Sequence, residues 1–219
     1  MEWDPLLLSF KVAAISTIAA TIIGVAFATL LTKRFPGRDI LDVLLTTPMV
    51  LPPTVLGYYV LVVLGRRSWI GETYEDIFGS SIVFTQKGAV IAAAIGALPL
   101  IVKAARAALE GVDPTLLRAA RTLGASKSRA YFTVALPLAA PGVLAGVMLG
   151  FARALGDFGV TLMVAGDIPG ETQTASLAIY DAIQGNRQSD AAGMIAVLSA
   201  FAIVTLYVVN KLTRKPHED

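Results

Sequence analysis

Apolar residues along this chain gather into five runs, at 6–32, 40–64, 88–109, 138–164 and 191–212. A helix that crosses a bilayer needs roughly 20 predominantly apolar residues, and each run reaches that length. Polar residues collect between the runs: KRFPGRD at 33–39, a loop at 65–87, a longer island at 110–137 and a loop at 165–190. The island reads EGVDPTLLRAARTLGASKSRAYFTVALP and has spans on both sides, so it belongs at one membrane face. The pattern predicts an all-α polytopic membrane bundle of about five transmembrane helices, a single domain over 1–219, organised around that island.

Composition agrees with the pattern. The chain has 219 residues, 55% of them hydrophobic and only 16% charged, with a mean hydropathy of +0.69. Soluble domains carry roughly 25% charged residues. Cysteine is absent, which excludes disulfides, thiolate metal sites and cysteine nucleophiles. The single histidine, His217, lies in the charged tail KPHED, so no histidine pair or Ser–His dyad is available inside the membrane. A GxxxxGK[ST] phosphate loop is missing too, and any ATP hydrolysis must come from another chain. No residue is assigned a catalytic or metal-ligating role, no cofactor is expected on the chain, and nucleic acid is not an expected partner. The N-terminal MEWDP lacks a basic signal region, and the first run is too long for a signal core, so it reads as a retained span.

Charge placement gives an orientation. Lys33, Arg34 and Arg38 follow the first span, and Lys103, Arg106, Arg118, Arg121, Lys127 and Arg129 surround the island. Lys211, Arg214 and Lys215 follow the last span. The other side has Arg66, Arg67, Lys87 and Arg187, diluted by Glu72, Glu75, Asp76, Asp167, Glu171, Asp181 and Asp190. Basic residues near helix ends stay cytoplasmic. The expected topology is N-terminus outside, island and C-terminus in the cytoplasm.

Within the spans, three features carry information. Ala13, Ala14, Ala19, Ala20, Gly24, Ala26 and Ala28 in the first are small residues that let helices approach closely. Pro48, Pro52 and Pro53 kink the second, and Leu98-Pro99 repeats that signal more weakly in the third. A kinked second span reads either as pore lining or as a structural bend, which makes Pro52 and Pro53 gate candidates. Arg153 and Asp157 in the fourth stand four residues apart and share a helix face. Intramembrane charges mark pathways or paired structure, so Arg153 either attracts a crossing anion or forms a neutral pair with Asp157. Lys11, one or two turns into the first span, can snorkel to the interface.

The island has its own grammar. Asp113-Pro114 is an N-cap followed by proline at the first helical position. Leu116, Ala119, Ala120 and Leu123 form a stripe flanked by Arg118 and Arg121. Gly124 is placed as a left-handed stop, and Ser126 caps a second helix through Lys127, Arg129 and Tyr131 to Leu136-Pro137. Such a unit fits either a partner's groove or the headgroup layer.

The spacing Ala119-Ala120, three residues, Gly124, nine residues, Val134, one residue, Leu136-Pro137 resembles the EAA signature of ABC importer permeases. The segments FPGRDILDVLLTTPMVLPPTVLGYYVLVVLGRRSWIG, ALEGVDPTLLRAARTLGA, FARALGDFGVTLMVAGDIPGETQT and AIYDAI further resemble molybdate transporter permeases, with sulfate/thiosulfate and tungstate permeases as near relatives. The resemblance implies a homodimeric pore in a bacterial or archaeal cytoplasmic membrane. It implies two separate ATP-binding subunits that use ATP and Mg, and an extracytoplasmic oxyanion-binding protein. Asp113, Leu116, Ala119, Ala120, Arg121, Gly124 and Ala125 would then meet the ATPase. Arg118 stands where the signature has glutamate. Two other classes fit less. A secondary ion-coupled transporter is expected to show internal repeats and a midplane ion site. An intramembrane aspartyl protease needs two facing carboxylates at depth, whereas Asp157 lies in a span and Asp181 in an outer loop.

Overall fold

A computed structural model describes residues 3–213 of the chain. Arg214, Lys215 and His217, used above for charge placement and exclusion, lie outside the described residues. Helix α1 (Asp4–Leu31) opens with an acidic residue and a proline in its first turn, where a lost N–H costs nothing and a carboxylate complements the helix dipole. Gly37, with φ +84°, turns the chain into α2 (Arg38–Val50).

The second run does not form one span. Leu51 and Pro52 are both extended, with ψ of 139° and 135°, because a residue that precedes proline is pushed out of the helical region. Two such residues in succession end α2, and α3 (Pro53–Leu64) restarts with Pro53 at its first position. The two halves are bent by 116°. The expectation of a single kinked helix over 40–64 is therefore corrected: the Pro-Pro pair breaks the run.

The loop at 65–87 contains a short helix, α4 (Trp69–Phe78), capped by Ser68. Thr85 caps α5 (Gln86–Glu110) by accepting from the Gly88 N–H. After α6 (Pro114–Thr122) comes α7 (Lys127–Leu155), a 29-residue helix that joins the island's second half to the fourth span. Its turn at Tyr131–Ala135 is a π-helix, in which the Leu136 N–H bonds the Tyr131 carbonyl. Pro137 follows immediately and has no N–H to offer, so the ladder shifts register at this point.

The fourth run also ends early. Helix α7 stops at Leu155, Gly156 leaves the helical region, and α8 (Gly159–Ala165) starts separately. The continuous span expected over 138–164 is thus interrupted at Gly156–Phe158. Helix α9 (Ala175–Gln184) lies within the loop at 165–190, and α10 (Gln188–Thr213) is the last span. Among the described residues four helices are long and apolar enough to cross a membrane, and the bent α2–α3 pair makes a fifth crossing if counted as one. No strand occurs among the described residues.

Helix α5 sits at the centre, packed against α1 and α7 and flanked by α2 and α8. Small residues permit this: Ala89, Ala92, Ala93, Ala97 and Ala105 are all essentially inaccessible. On α1, Ala13, Ala20, Gly24 and Ala28 are buried, whereas Ala26 is exposed. On α7, a Cβ built on Gly142, Gly146 or Gly150 would lie 2.6, 2.5 or 2.7 Å from α5 side chains. That glycine row, spaced every four residues, sets the close approach of α7 to α5.

Candidate coupling surface and translocation path

The candidate coupling surface begins where α5 ends. Asp113 accepts a 2.8 Å hydrogen bond from the Thr115 N–H, and this bond holds its carboxyl below the usual carboxylate range. Pro114 starts α6, in which no residue is buried. The helix closes on the Ala119 and Arg121 carbonyls, and Gly124 follows at φ +89°. An added Cβ there meets nothing, so the preference for glycine comes from the backbone conformation alone. Ser126 accepts from the Arg129 N–H and starts α7.

Asp113, Leu116, Ala119, Arg121 and Gly124 are exposed, and Ala120 and Ala125 are half-buried. All seven coupling candidates lie in one largely exposed segment, 113–125. Arg118, at the signature's glutamate position, donates to Thr115 Oγ1 at 3.1 Å. With Arg121 and Lys127 it borders an open crevice of about 630 Å³ between α6 and α7.

A network behind this unit was not recognised from sequence. Asp42 on α2 takes Arg106 Nη1 at 2.8 Å and Lys103 Nζ at 3.0 Å, both from α5. Glu110, the last residue of α5, takes Arg106 Nε at 2.9 Å and Arg38 Nη2 at 3.2 Å. Arg38 Nε also donates to the Leu31 carbonyl at the end of α1. Three cations and two carboxylates thus join α1, α2 and α5 immediately before α6. The one signal available in sequence was the four-residue spacing of Arg106 and Glu110. Across the bundle, Tyr131 in the π turn shares a 2.6 Å hydrogen bond with Thr29 of α1.

The gate candidates fall into two neighbouring groups. Pro53 lies against α8: a Cβ on Gly159 would come within 2.7 Å of Pro53 Cβ, and one on Gly57 within 2.7 Å of Met163. Pro52 is exposed at the elbow. Arg153 Nη1 reaches Asp157 Oδ1 at 2.8 Å. The pair is formed, but not on one helix face, because α7 has ended and Asp157 stands in the break. Its other oxygen accepts from the Thr161 N–H at 2.9 Å and Thr161 Oγ1 at 2.6 Å, so it caps α8. Asp157 is 2% exposed and Arg153 34%. The pairing supports a structural role, and the Arg153 side chain stays partly exposed. Asp181, at 52% exposure, is bound by Arg187, and Asp157 and Asp181 each have their own cation. Among the described residues no group of acidic or histidine side chains is placed to hold a metal ion.

Residues 20–214 match the family described as binding-protein-dependent transport system inner membrane component. The molybdenum transport system permease protein ModB of Escherichia coli K12 is 45% identical over 99% of this chain and 96% of its own length. The Haemophilus influenzae protein of the same name is 45% identical over 93% of this chain and 88% of its own. The sulfate transport system permease protein CysT of Escherichia coli is more distant, at 32% identity over 93% of this chain and 75% of its own. Among solved structures, a chain of the MetNI methionine ABC transporter in inward-facing form superposes with a TM-score of 0.69 over 96% of this chain and 95% of that one, at 15% identity. A chain of a bacterial alginate ABC transporter gives 0.73 over 96% of this chain and 77% of that one, at 14% identity. These likenesses show the fold.

Proposed function

The chain belongs to the family of inner-membrane components of binding-protein-dependent transport systems, and from that premise we propose that it is the pore-forming permease of an ATP-driven molybdate importer. The 45% identity to a molybdenum permease along 99% of the chain carries this reading. Two copies form the pore, with the N-terminus outside and the island in the cytoplasm. Two separate ATPase subunits receive α6, and an extracytoplasmic binding protein delivers the oxyanion. The chain binds no nucleotide and makes no covalent bond; ATP and Mg²⁺ belong to the partner subunits.

The physical logic supports a gated path. A doubly charged oxyanion is too costly to desolvate in hydrocarbon, so it needs a polar route that opens to one side at a time. ATP closes the partner subunits, α6 moves with them, and its short links to α5 and α7 carry the displacement into the bundle. Arg153, partly exposed, supplies positive potential along that route beyond its structural pairing with Asp157.

Uptake of labelled molybdate, with tungstate and sulfate as competitors, tests the cargo. Molybdate should be displaced by tungstate well before sulfate; stronger competition by sulfate would move the assignment to the sulfate permeases. Uptake that persists without the ATPase would instead indicate a secondary transporter. For docking, a cysteine at Ala120 or Gly124 should crosslink to one placed in the ATPase cleft, on a chain that has no native cysteine. Absence of crosslinking in every nucleotide state would overturn it.

A further inference from the structure

At the end of the bundle opposite α6, a groove of about 420 Å³ runs between α1, α4 and α5. Val12, Ile15, Ile82, Val90 and Ile91 make its apolar walls, and Lys11 and Lys87 both line it. Lys11 lies two turns into α1, about 10 Å along the axis at 1.5 Å per residue, and Lys87 lies in the first turn of α5.

Each ammonium is held by a neutral oxygen. Lys11 Nζ donates to Gln86 Oε1 at 2.9 Å, and Gln86 in turn donates to the Glu171 carbonyl. Lys87 Nζ donates to the Tyr74 hydroxyl at 2.9 Å and stands 5.4 Å from the centre of the Tyr74 ring. Among the described residues neither lysine forms an ion pair with a carboxylate. From Ile15 in the groove wall, α1 continues with exposed Ile18 and Ile22, and the three share one face at helical spacing.

Two uncompensated cations beside an apolar channel call for an amphiphile with an anionic head. We infer that this groove binds an anionic phospholipid, its phosphate between Lys11 and Lys87 and an acyl chain along Ile15, Ile18 and Ile22. A soluble oxyanion would satisfy the charges but leave the apolar walls uncovered. A zwitterionic lipid would cover the walls and add a cation of its own beside the lysines.

The full chain, purified in detergent, is exposed to phosphatidylglycerol or phosphatidylcholine and examined by native mass spectrometry. Phosphatidylglycerol should be retained preferentially, and Lys11→Gln/Lys87→Gln should cut its retention about tenfold or more, given the attraction of paired basic residues to anionic lipid. Phosphatidylcholine retention should not change. Lys11→Arg/Lys87→Arg should keep the preference, which separates charge loss from misfolding. Equal retention of the two lipids by the unaltered chain would overturn the inference. Loss of the preference in the arginine pair, or an unchanged preference in the glutamine pair, would do the same. Displacement of phosphatidylglycerol by millimolar inorganic phosphate or molybdate would assign the site to a soluble oxyanion instead.

Discussion

At the residue scale, function rests on a few side chains whose surroundings differ sharply. Asp157 is the most constrained: it is buried, and it joins Arg153 to Thr161 through three hydrogen bonds. Asp157→Asn should lower thermal stability by about 1–3 kcal/mol, the range for leaving a buried polar group without its partner. Adding Arg153→Gln should recover part of that loss, because the stranded cation is removed as well. If the double variant also transports normally, Arg153 has no part in passage. Asp113 is the opposite case, fully exposed and shaped only by its cap. Because its folded pKa is depressed, its stabilising contribution is complete above the ordinary carboxylate range. It is lost only as pH falls through the depressed value. The Thr115 amide resonance should therefore be constant at neutral pH and titrate with a midpoint below that of an ordinary aspartate.

Between elements, close approach is set by absent side chains. Gly146→Val would place atoms against Ala104, where even a Cβ lies at 2.5 Å. It should destabilise the α5–α7 contact by roughly 1–3 kcal/mol, seen as a lower unfolding temperature in detergent. Gly24→Ala adds one methyl, whose nearest neighbour is Ile101 Cγ2 at 3.0 Å rather than 2.5 Å, and should cost less. The network joining α2 to α5 makes a second prediction. Asp42 serves two cations at 23% exposure, whereas the Arg38–Glu110 pair is 26% and 45% exposed. Asp42→Ala should therefore reduce stability more than Arg38→Ala/Glu110→Ala reports as a coupling energy, since exposed pairs contribute only about 0.2–1 kcal/mol. A double-mutant cycle on thermal unfolding measures both.

For the whole molecule, the elbow between α2 and α3 matters most. The bend follows from two prolines, but its direction is fixed where Pro53 packs on Gly159 and Gly57 packs on Met163. Gly159→Val should push α3 off α8 and reduce uptake by about tenfold or more, as a displacement of around 1 Å can misplace a functional constellation. Membrane insertion, checked by fractionation, should be unaffected because hydropathy is unchanged or raised.

What the sequence determined by itself was whatever depends on local chemistry or on transfer to lipid. Hydropathy located the apolar runs, since that signal is a sum over roughly 20 residues. The island's caps were legible, since Asp113, Pro114, Gly124 and Ser126 act through nearby backbone groups; the expected end of its second helix at Leu136-Pro137 was not, because that helix runs on to Leu155. Tertiary structure decided the rest. Lipid solubility could not reveal that the second run is two helices or that the fourth stops at Leu155, because broken and unbroken runs are equally apolar. The Pro-Pro steric rule was present in the residues, yet only packing on Gly159 shows where α3 turns. The Asp42–Arg106 and Glu110–Arg38 pairs join residues 64 and 72 positions apart, and no periodicity along one helix reaches that far. Asp157 was read as a residue on a helical face; the fold made it the cap of a new helix, with Arg153 its partner across the break.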